Sequence, residues 1–223
     1  MWKHFFDEEK RYMNPYIAKM DNYKEYIIYV KEEMNNRKNK WNEFFKNDNP
    51  IYIEIGSGAG NFSVRSGEKN RNENYIGMEL RFKRLVNSAE KAKKRDLENV
   101  CFLRRKGEEI TECFGKEEIN GVHINFPEPW DKNPRRRVVQ KSLFDKLENV
   151  LKKDGKIFIK TDHNKYYDYV LNLLKDVDNY TLVYKTEDLH NSEKAESNVL
   201  TEFEELFTRQ GIKTNYIEIK KEV

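Results

Sequence analysis

Ile51-Tyr-Ile-Glu-Ile-Gly56-Ser-Gly58-Ala-Gly60 joins a short β-rich run directly to a turn that holds three glycines. Glycine at a strand-to-helix turn adopts positive φ without strain and lets the backbone approach a ligand closely. The pattern predicts the first strand and turn of a Rossmann-like unit. A glycine turn alone is a weak signal, and a tight turn without a ligand is the alternative interpretation.

The segments after this turn alternate between strand and helix patterns. The predicted strands are 75–79, 99–103, 121–126 and 156–161, followed by two late strands at 180–184 and 214–219. The predicted helices are 81–95, 140–153, 165–175 and 201–210, and Asp154-Gly155 is expected to stop the second of them. Such alternation is typical of a doubly wound α/β fold with a mostly parallel sheet.

Residues 1–49 have a different character. They are polar, aromatic-rich and charged, with a helix pattern around Tyr23–Met34 and an asparagine-rich stretch before Pro50. We therefore predict an N-terminal extension over residues 1–49, helical or partly disordered, and one folded domain over residues 50–223.

Charge is distributed unevenly along the 223 residues, although the net charge is only +3. Residues 81–106 hold ten Lys/Arg and three acids, and residues 131–141 hold five Lys/Arg and one acid. Residues 187–205 hold seven acids and one lysine. Basic regions beside an acidic one favour a polyanionic partner, most often nucleic acid. A solvated lysine-rich surface is the alternative.

Several functional classes are disfavoured by the composition. Cys101 and Cys113 are predicted to be buried core residues in a strand and a helix, not a disulfide. The four histidines show no metal-ligand spacing, so we expect no metal. No apolar run approaches the roughly 20 residues of a membrane span, and the N-terminus lacks the apolar core of a signal peptide. We expect a cytosolic protein without a membrane partner.

Two acids near the glycine turn bear on the cofactor. Glu79 ends the second predicted strand, where a carboxylate can pair with a ribose diol, as in dinucleotides and in S-adenosylmethionine. Glu54 lies within the first strand, where it would repel a pyrophosphate and attract the cationic methionine end of S-adenosylmethionine. The Gly-x-Gly-x-Gly spacing also departs from the dinucleotide pattern. An acid that caps the adjacent turn is the alternative role for Glu54.

A second motif, Asn125-Phe-Pro-Glu-Pro-Trp130, follows the fourth of these strands and leads to Lys132 and Arg135-Arg136-Arg137. The two prolines place Glu128 on a stiff loop. Arginine forks suit bidentate contacts with phosphate, so the cations are predicted to hold nucleic-acid phosphates. The alternatives are a Glu128 carboxylate satisfied by backbone N–H groups, a solvated arginine cluster, and a Trp130 that packs under the loop instead of stacking on a base.

These residues resemble the bacterial tRNA (guanine-N7)-methyltransferase family over about residues 51–219. The resemblance rests on the glycine turn, Tyr75-Ile-Gly-Met-Glu79, the proline loop, Lys160-Thr-Asp162, Asp188-Leu-His-Asn-Ser192 and Thr201-Glu-Phe-Glu204. It implies an α/β, Rossmann-like class I methyltransferase fold with a seven-stranded, mostly parallel sheet flanked by helices. It also implies methyl transfer from S-adenosylmethionine to N7 of guanine 46 in the tRNA variable loop.

The resemblance also implies roles for individual residues. Glu54, Gly56, Gly58, Gly60 and Glu79 would bind the cofactor, and Glu128 would stand between cofactor and base as the catalytic residue. The substrate contacts would come from Lys132, Asp162, Thr201 and Glu204. Because guanine N7 carries a lone pair and no proton, we expect Glu128 to grip the base and stabilise charge, and not to act as a general base.

The sequence departs from the family pattern at two positions. Glu128 replaces the usual Asp between the prolines, and Lys106 stands where an adenine-facing acid is usual. Lys106, Gly107 and Glu108 are therefore the candidates for the adenine end, with either Glu108 or the backbone making the contact. Thr201 and Glu204 also have capping-box spacing, and a self-satisfied helix start is their alternative role.

Three functions remain open from the sequence. They are the tRNA methyltransferase, another S-adenosylmethionine enzyme that acts on RNA, protein or a small molecule, and a non-catalytic RNA-binding module. Both a monomer and a homodimer are compatible with the chain.

Overall fold

The computed structural model describes residues 14–222, which form one eight-stranded sheet with helices on both faces. The strand order is β1-β4-β3-β2-β5-β6-β8-β7. The strands are β1 (Ile27–Ile28), β2 (Ile51–Ile55), β3 (Asn74–Met78), β4 (Val100–Leu103), β5 (Ile119–Asn125), β6 (Leu151–Thr161), β7 (Tyr180–Thr186) and β8 (Asn215–Lys221).

Strands β1 to β6 are parallel to one another, whereas β8 is antiparallel to both of its neighbours, β6 and β7. The helices are α1 (Pro15–Met20), α2 (Lys31–Arg37), α3 (Trp41–Phe45), α4 (Asn61–Lys69), α5 (Phe82–Lys94), α6 (Ile110–Cys113), α7 (Lys141–Val150), α8 (Asn164–Leu173) and α9 (Glu202–Arg209). The predicted Rossmann-like α/β class is confirmed. Within residues 14–222 no helix has both the length and the apolar content needed to cross a bilayer.

Strand β1 corrects the prediction of seven strands. Ile27 and Ile28 pair in parallel with Phe102 and Leu103 at the edge of the sheet. The same pairing shows that the helix predicted around Tyr23–Met34 is wrong, because β1 interrupts it and α2 begins only at Lys31. Both isoleucines are buried, so the gain from covering apolar surface outweighs local helix propensity. The proposed division at residue 49 stays a prediction, and residues 1–13 of the extension lie outside the described residues.

The helix before β6 also ends earlier than predicted. It stops at Val150, and Asp154-Gly155 belong to β6, where Asp154 has a φ of 60°. Leu151 already pairs with Ile119, and the register shifts between Ile119 and Gly121. Sheet pairing therefore takes over at Leu151, and Asp154-Gly155 make an irregularity in the strand.

The core forms on both faces of the sheet. Ile53, Ile76, Val122 and Ile157 belong to one buried cluster, and the other lies under α5. Alternate residues of the strands point to opposite faces, which explains why β2 and β5 carry polar groups such as Glu54 and Asn125 between apolar ones. Cys101 and Cys113 are buried and free, as predicted.

Candidate methyl-transfer site

The glycine turn begins where β2 ends, at the carboxyl edge of the parallel strands. Gly56, Gly58 and Gly60 have φ values of 75°, 55° and 72°. A Cβ at Gly60 would lie 2.6 Å from Ser88 and 2.9 Å from Phe102, whereas a Cβ at Gly56 would meet nothing within 4 Å. Gly60 therefore allows close packing of the turn against α5 and β4, and Gly56 faces open space.

Two adjoining clefts follow this edge. The first, of about 290 Å³, is lined by Glu54, the glycine turn, Asn125, Glu128, Thr201 and Phe203. The second, of about 490 Å³, is lined by Lys106, Gly107, Glu108 and Arg136. Gly56, Glu79 and Trp130 border both clefts. The structure thus brings all of the sequence-predicted cofactor residues except Gly60 to one continuous groove, and Gly60 supports the turn from behind.

Glu54 is a buried carboxylate at the inner end of the first cleft. It accepts hydrogen bonds from Ser63 Oγ at 2.5 Å and from Asn125 Nδ2 at 3.1 Å. Burial raises its pKa to about 7, against the opposing effect of these two hydrogen bonds and of Lys160. Near neutral pH this acid therefore takes up or releases a proton easily, and a cation beside it would favour the ionised form.

Glu79 lies at the junction of the two clefts and is held by the start of α5. Its Oε1 accepts hydrogen bonds from the Leu80 and Arg81 N–H groups at 2.7 and 2.9 Å. Arg84 Nη1 lies 3.3 Å from Oε2. These contacts fix the carboxylate at the point where β3 ends.

The proline loop has an unusual backbone. Phe126 and Trp130 have φ values of 50° and 45°, in the left-handed region that bulky residues rarely adopt. Strain of this kind is concentrated at functional sites, where the surrounding contacts hold it. Glu128 is exposed between them, and within residues 14–222 no hydrogen bond or ion pair engages its carboxylate. The alternative of a Glu128 satisfied by backbone N–H groups is therefore absent from this conformation.

The three arginines after this loop have two different environments. Arg135 and Arg136 are exposed, and the Arg136 guanidinium lies 4.1 Å from the centre of the Trp130 ring. Arg137 is buried, donates from Nε to the Pro129 carbonyl at 2.7 Å and covers the Tyr169 ring at 4.2 Å. The Arg137 guanidinium therefore anchors the loop from beneath, and the phosphate contact predicted for it stays a prediction.

The predicted substrate residues are divided in the same way. Lys132 and Asp162 are exposed, and Asp162 directly follows β6. Thr201 borders the first cleft, but its hydroxyl accepts a hydrogen bond from the Glu204 N–H, and the Glu204 carboxylate accepts one from the Thr201 N–H. The capping box expected as the alternative role is therefore formed.

Glu204 is fully buried and lies against Lys160, so the direct substrate contact predicted for it stays a prediction. Lys160 Nζ lies 2.8 Å from Glu204 Oε2, 2.5 Å from Asn198 Oδ1 and 2.9 Å from the Val199 carbonyl. Both side chains are at most 5% exposed. This ion pair fastens the start of α9 to β6, so Glu204 acts on the site through the position of the helix.

Comparison with known proteins agrees with this arrangement. A family model described as "Putative methyltransferase" matches residues 48–216. The tRNA (guanine-N(7)-)-methyltransferase of Clostridioides difficile is 37% identical over 205 residues, which cover 91% of this chain and 94% of that protein. The protein of the same name from Geobacillus sp. is 37% identical over 200 residues and 89% of each chain. The chain belongs to the tRNA (guanine-N7)-methyltransferase family.

A longer relative and several solved structures extend the comparison. A bifunctional glycosyltransferase/methyltransferase of Fusobacterium nucleatum is 51% identical over 222 residues, 99% of this chain but 35% of that protein. The 16S rRNA methyltransferase KamB has a TM-score of 0.59 at 12% identity, over 86% of this chain and 92% of its own. An antibiotic-related methyltransferase has a TM-score of 0.57 at 16% identity, over 83% of this chain and 94% of its own. These likenesses confirm the class I methyltransferase fold.

The sequence reasoning missed four residues of the site in this family member. Asn125 holds Glu54, Phe126 and Phe203 form an aromatic wall with ring centres 5.9 Å apart, and Lys160 holds α9. A lysine at the penultimate position of an apolar strand is the one signal that pointed to Lys160, because a buried cation needs a partner. Within residues 14–222 no three His, Cys, Asp or Glu side chains are grouped to hold a metal ion.

Replacing Lys160 with Met tests the importance of the buried ion pair. We expect the free energy of unfolding to fall by about 3–5 kcal/mol, because the Glu204 carboxylate is left buried without its cation. Urea denaturation at pH 7 measures the change. Lys156→Met is the matched control: Lys156 lies 2.7 Å from the buried Glu218, but its own side chain is 43% exposed, and Glu218 keeps a second cation, Lys194, at 3.1 Å. About 1 kcal/mol or less should therefore be lost. Equal losses in the two variants would contradict this interpretation.

Proposed function

We propose that the protein transfers a methyl group from S-adenosylmethionine to N7 of a guanine in tRNA, at position 46 of the variable loop. The observation that carries the proposal is the position of Glu128: an unengaged carboxylate at the mouth of the first cleft, on a loop that continues into exposed cations. Membership of the tRNA (guanine-N7)-methyltransferase family supports the choice of base and of RNA. We expect the reaction to take place in the cytosol, by a monomer or a homodimer.

The residues along the groove fit S-adenosylmethionine. Glu54 would receive the cationic methionine end, and Glu79 would receive the ribose hydroxyls. Lys106, Gly107 and Glu108 border the far cleft, where they would hold the adenine. A dinucleotide fits less well, because its pyrophosphate would meet the Glu54 carboxylate. When bound, the cofactor supplies an electrophilic methyl group.

For this reaction the protein must align guanine N7 with the methyl group and stabilise the charge that develops. Guanine N7 has a lone pair and no proton, so no general base is needed, and positive charge grows on the purine as the methyl group is transferred. Glu128 and Asp162 would offset that charge and accept hydrogen bonds from guanine N1–H and N2–H. Adenine lacks this pair of donors, so the two acids would also select the base.

The exposed cations of the proline loop would hold the RNA backbone beside the target base. Lys132, Arg135 and Arg136 are all exposed and follow Glu128 within eight residues. Arg136 and Trp130 form a cation–π pair, which orients one guanidinium at the edge of the second cleft. Arg137 would contribute by fixing the loop that carries Glu128.

Incubation with bulk tRNA and methyl-labelled S-adenosylmethionine tests the proposed function. We expect label in 7-methylguanosine after the RNA is digested to nucleosides and separated. Label in another nucleoside, or none in RNA from a protein that retains the cofactor, would indicate a different methyltransferase. A protein that binds tRNA and does not retain the cofactor would instead be the non-catalytic RNA-binding module.

Replacing Glu128 with Gln tests the role of the carboxylate. The change keeps the size of the side chain and removes its charge, so we expect kcat for tRNA methylation to fall on the order of 100-fold. The affinity for the cofactor should change little. Glu117→Gln is the control, since Glu117 is exposed ahead of β5 at the opposite edge of the sheet. Wild-type kcat in the Glu128 variant would refute the electrostatic role.

The raised pKa of Glu54, about 7, leads to a prediction for cofactor affinity. Below pH 7 the carboxyl is mostly neutral and attracts a cation weakly, whereas above pH 7 it is ionised. Affinity for S-adenosylmethionine should therefore rise roughly tenfold between pH 5.5 and 7.5, which calorimetric titration can measure. Glu54→Gln should bind weakly and lose this dependence. The same pH profile in both proteins would show that Glu54 does not meet the cationic end.

A further inference from the structure

A third groove, of about 610 Å³, continues the first cleft outward between α5 and α9. The two share Gly58, Ala59, Arg84, Glu202 and Phe203 along their boundary, so a chain that leaves the first cleft can enter this groove directly. The family resemblance assigns no role to this groove, although Lys83 and Arg84 belong to the basic region 81–106 for which the sequence predicts a polyanionic partner.

The α9 wall of the groove is apolar and exposed. Phe203 and Leu206 are each 50% exposed, more than any other large apolar side chain in residues 14–222. Their spacing of three residues places them on one face of the helix, followed by Arg209 after a further three. The Phe203 ring is supported from behind by Phe207 at 6.1 Å and Phe126 at 5.9 Å. Grouped exposed apolar side chains with a polar rim are a common feature of binding sites.

The charges around the groove favour an anionic partner. Of the two acids on its rim, Glu205 is neutralised by Arg65 at 2.8 Å, whereas Glu202 accepts a hydrogen bond from the neutral Asn61 amide at 2.9 Å and keeps its charge at the boundary with the first cleft. Lys83 and Arg209 are exposed on the two walls, and neither forms a salt bridge with a residue between 14 and 222. Within residues 14–222 the groove therefore has a cation without an acidic partner on either side of an apolar platform, and the Lys83 ammonium also lies 6.0 Å from the centre of the Tyr16 ring.

We propose that this groove binds the nucleotide adjacent to the target guanosine, with its base on Phe203 and Leu206 and its phosphates beside Lys83 and Arg209. Unstacked bases bind to such aromatic and apolar platforms with little regard to sequence, and cations beside them follow the backbone. The proposal rests on the proposed function. It places RNA on the Phe203 side of the cleft, while Arg135 and Arg136 hold it on the Trp130 side.

The arrangement explains how a single base is turned into the cleft. A base leaves the stack of its neighbours only at a cost in free energy, and a platform for the neighbour offsets part of it. Contacts on both sides of the target also fix its position relative to Glu128, which alignment of N7 requires.

Leu206→Ala, Lys83→Ala and Arg209→Ala test the groove without altering the residues placed at the methyl-transfer site. We expect Leu206→Ala to raise Kd and KM for tRNA about tenfold, with an unchanged Kd for S-adenosylmethionine. Lys83→Ala and Arg209→Ala should each lower the slope of log Kd against log salt concentration by about one. The controls are Val183→Ala, also an exposed apolar residue but on β7, and Lys116→Ala, an exposed cation ahead of β5. Unfolding midpoints confirm that all variants are folded.

A cycle with modified RNA identifies the occupant. tRNAs with an abasic nucleotide on the 5′ or the 3′ side of the target are bound by wild type and by Leu206→Ala. For one of these two tRNAs, we expect the affinity of the wild type to be about tenfold lower than for unmodified tRNA. The affinity of Leu206→Ala should fall little below its value for unmodified tRNA, because the base and Leu206 form the same contact. The proposal would be overturned if the effects on Kd of Leu206→Ala and of the abasic nucleotide were additive for both tRNAs, or if Kd were unchanged in all groove variants. The groove would then be a binding surface for a protein partner. A wild type that does not methylate tRNA would overturn the proposed function as well.

Discussion

The Lys160 ammonium is enclosed by the Glu204 carboxylate, the Asn198 side-chain oxygen and the Val199 carbonyl, all within 2.9 Å. Burial lowers the pKa of this lysine, and the Glu204 carboxylate opposes that effect. Two buried charges are tolerated only when geometry and hydrogen bonding are nearly complete. Around Lys160 and Glu204 the geometry and hydrogen bonding are nearly complete, and the contact joins the end of β6 to the start of α9. The helix that bears Phe203 is thereby fixed above the carboxyl edge of the sheet.

The other half of the site is connected to the same cation. Asn125, which pairs with Lys160 across β5 and β6, holds Glu54 at the inner end of the first cleft. Lys160 favours the ionised form of Glu54, although burial still dominates its pKa. Lys160 thus lies between Glu54 in the first cleft and Glu204 at the start of α9. Loss of its charge should disturb both halves, which separates it from the surface lysines of this chain.

Much of the site can be predicted from the hydrophobic periodicity of the sequence and from its glycines and prolines. The glycine turn and the proline loop fall where β2 and β5 end, and parallel strands bring those ends together. Which of the charged side chains are buried cannot be predicted from the same pattern. Arg135, Arg136 and Arg137 are equivalent in the sequence, and only packing against Tyr169 separates the third from the others. In the same way, Thr201-Glu-Phe-Glu204 fits a substrate contact and a capping box equally well in the sequence, and only the structure shows that the capping box is formed and that Glu204 pairs with Lys160.

Two local features were beyond sequence reasoning for a different reason. Strand β1 has two residues, too few for a period-2 pattern, and it exists because Ile27 and Ile28 fill the edge beside β4. The left-handed backbone at Phe126 runs against the preference of a residue before proline for extended geometry. The aromatic contacts with Phe203 and Phe207 hold it in place.

Native-state hydrogen exchange of the α9 amides tests most directly whether the buried ion pair makes this helix a fixed wall of the cleft. If it does, the N–H groups of residues 205–207 should exchange only by opening reactions close in free energy to those of Ile124 in the central strand β5. Exchange on the order of 1,000-fold faster in α9 than at Ile124 would show that the helix opens locally. The Lys160–Glu204 pair would then not define the site.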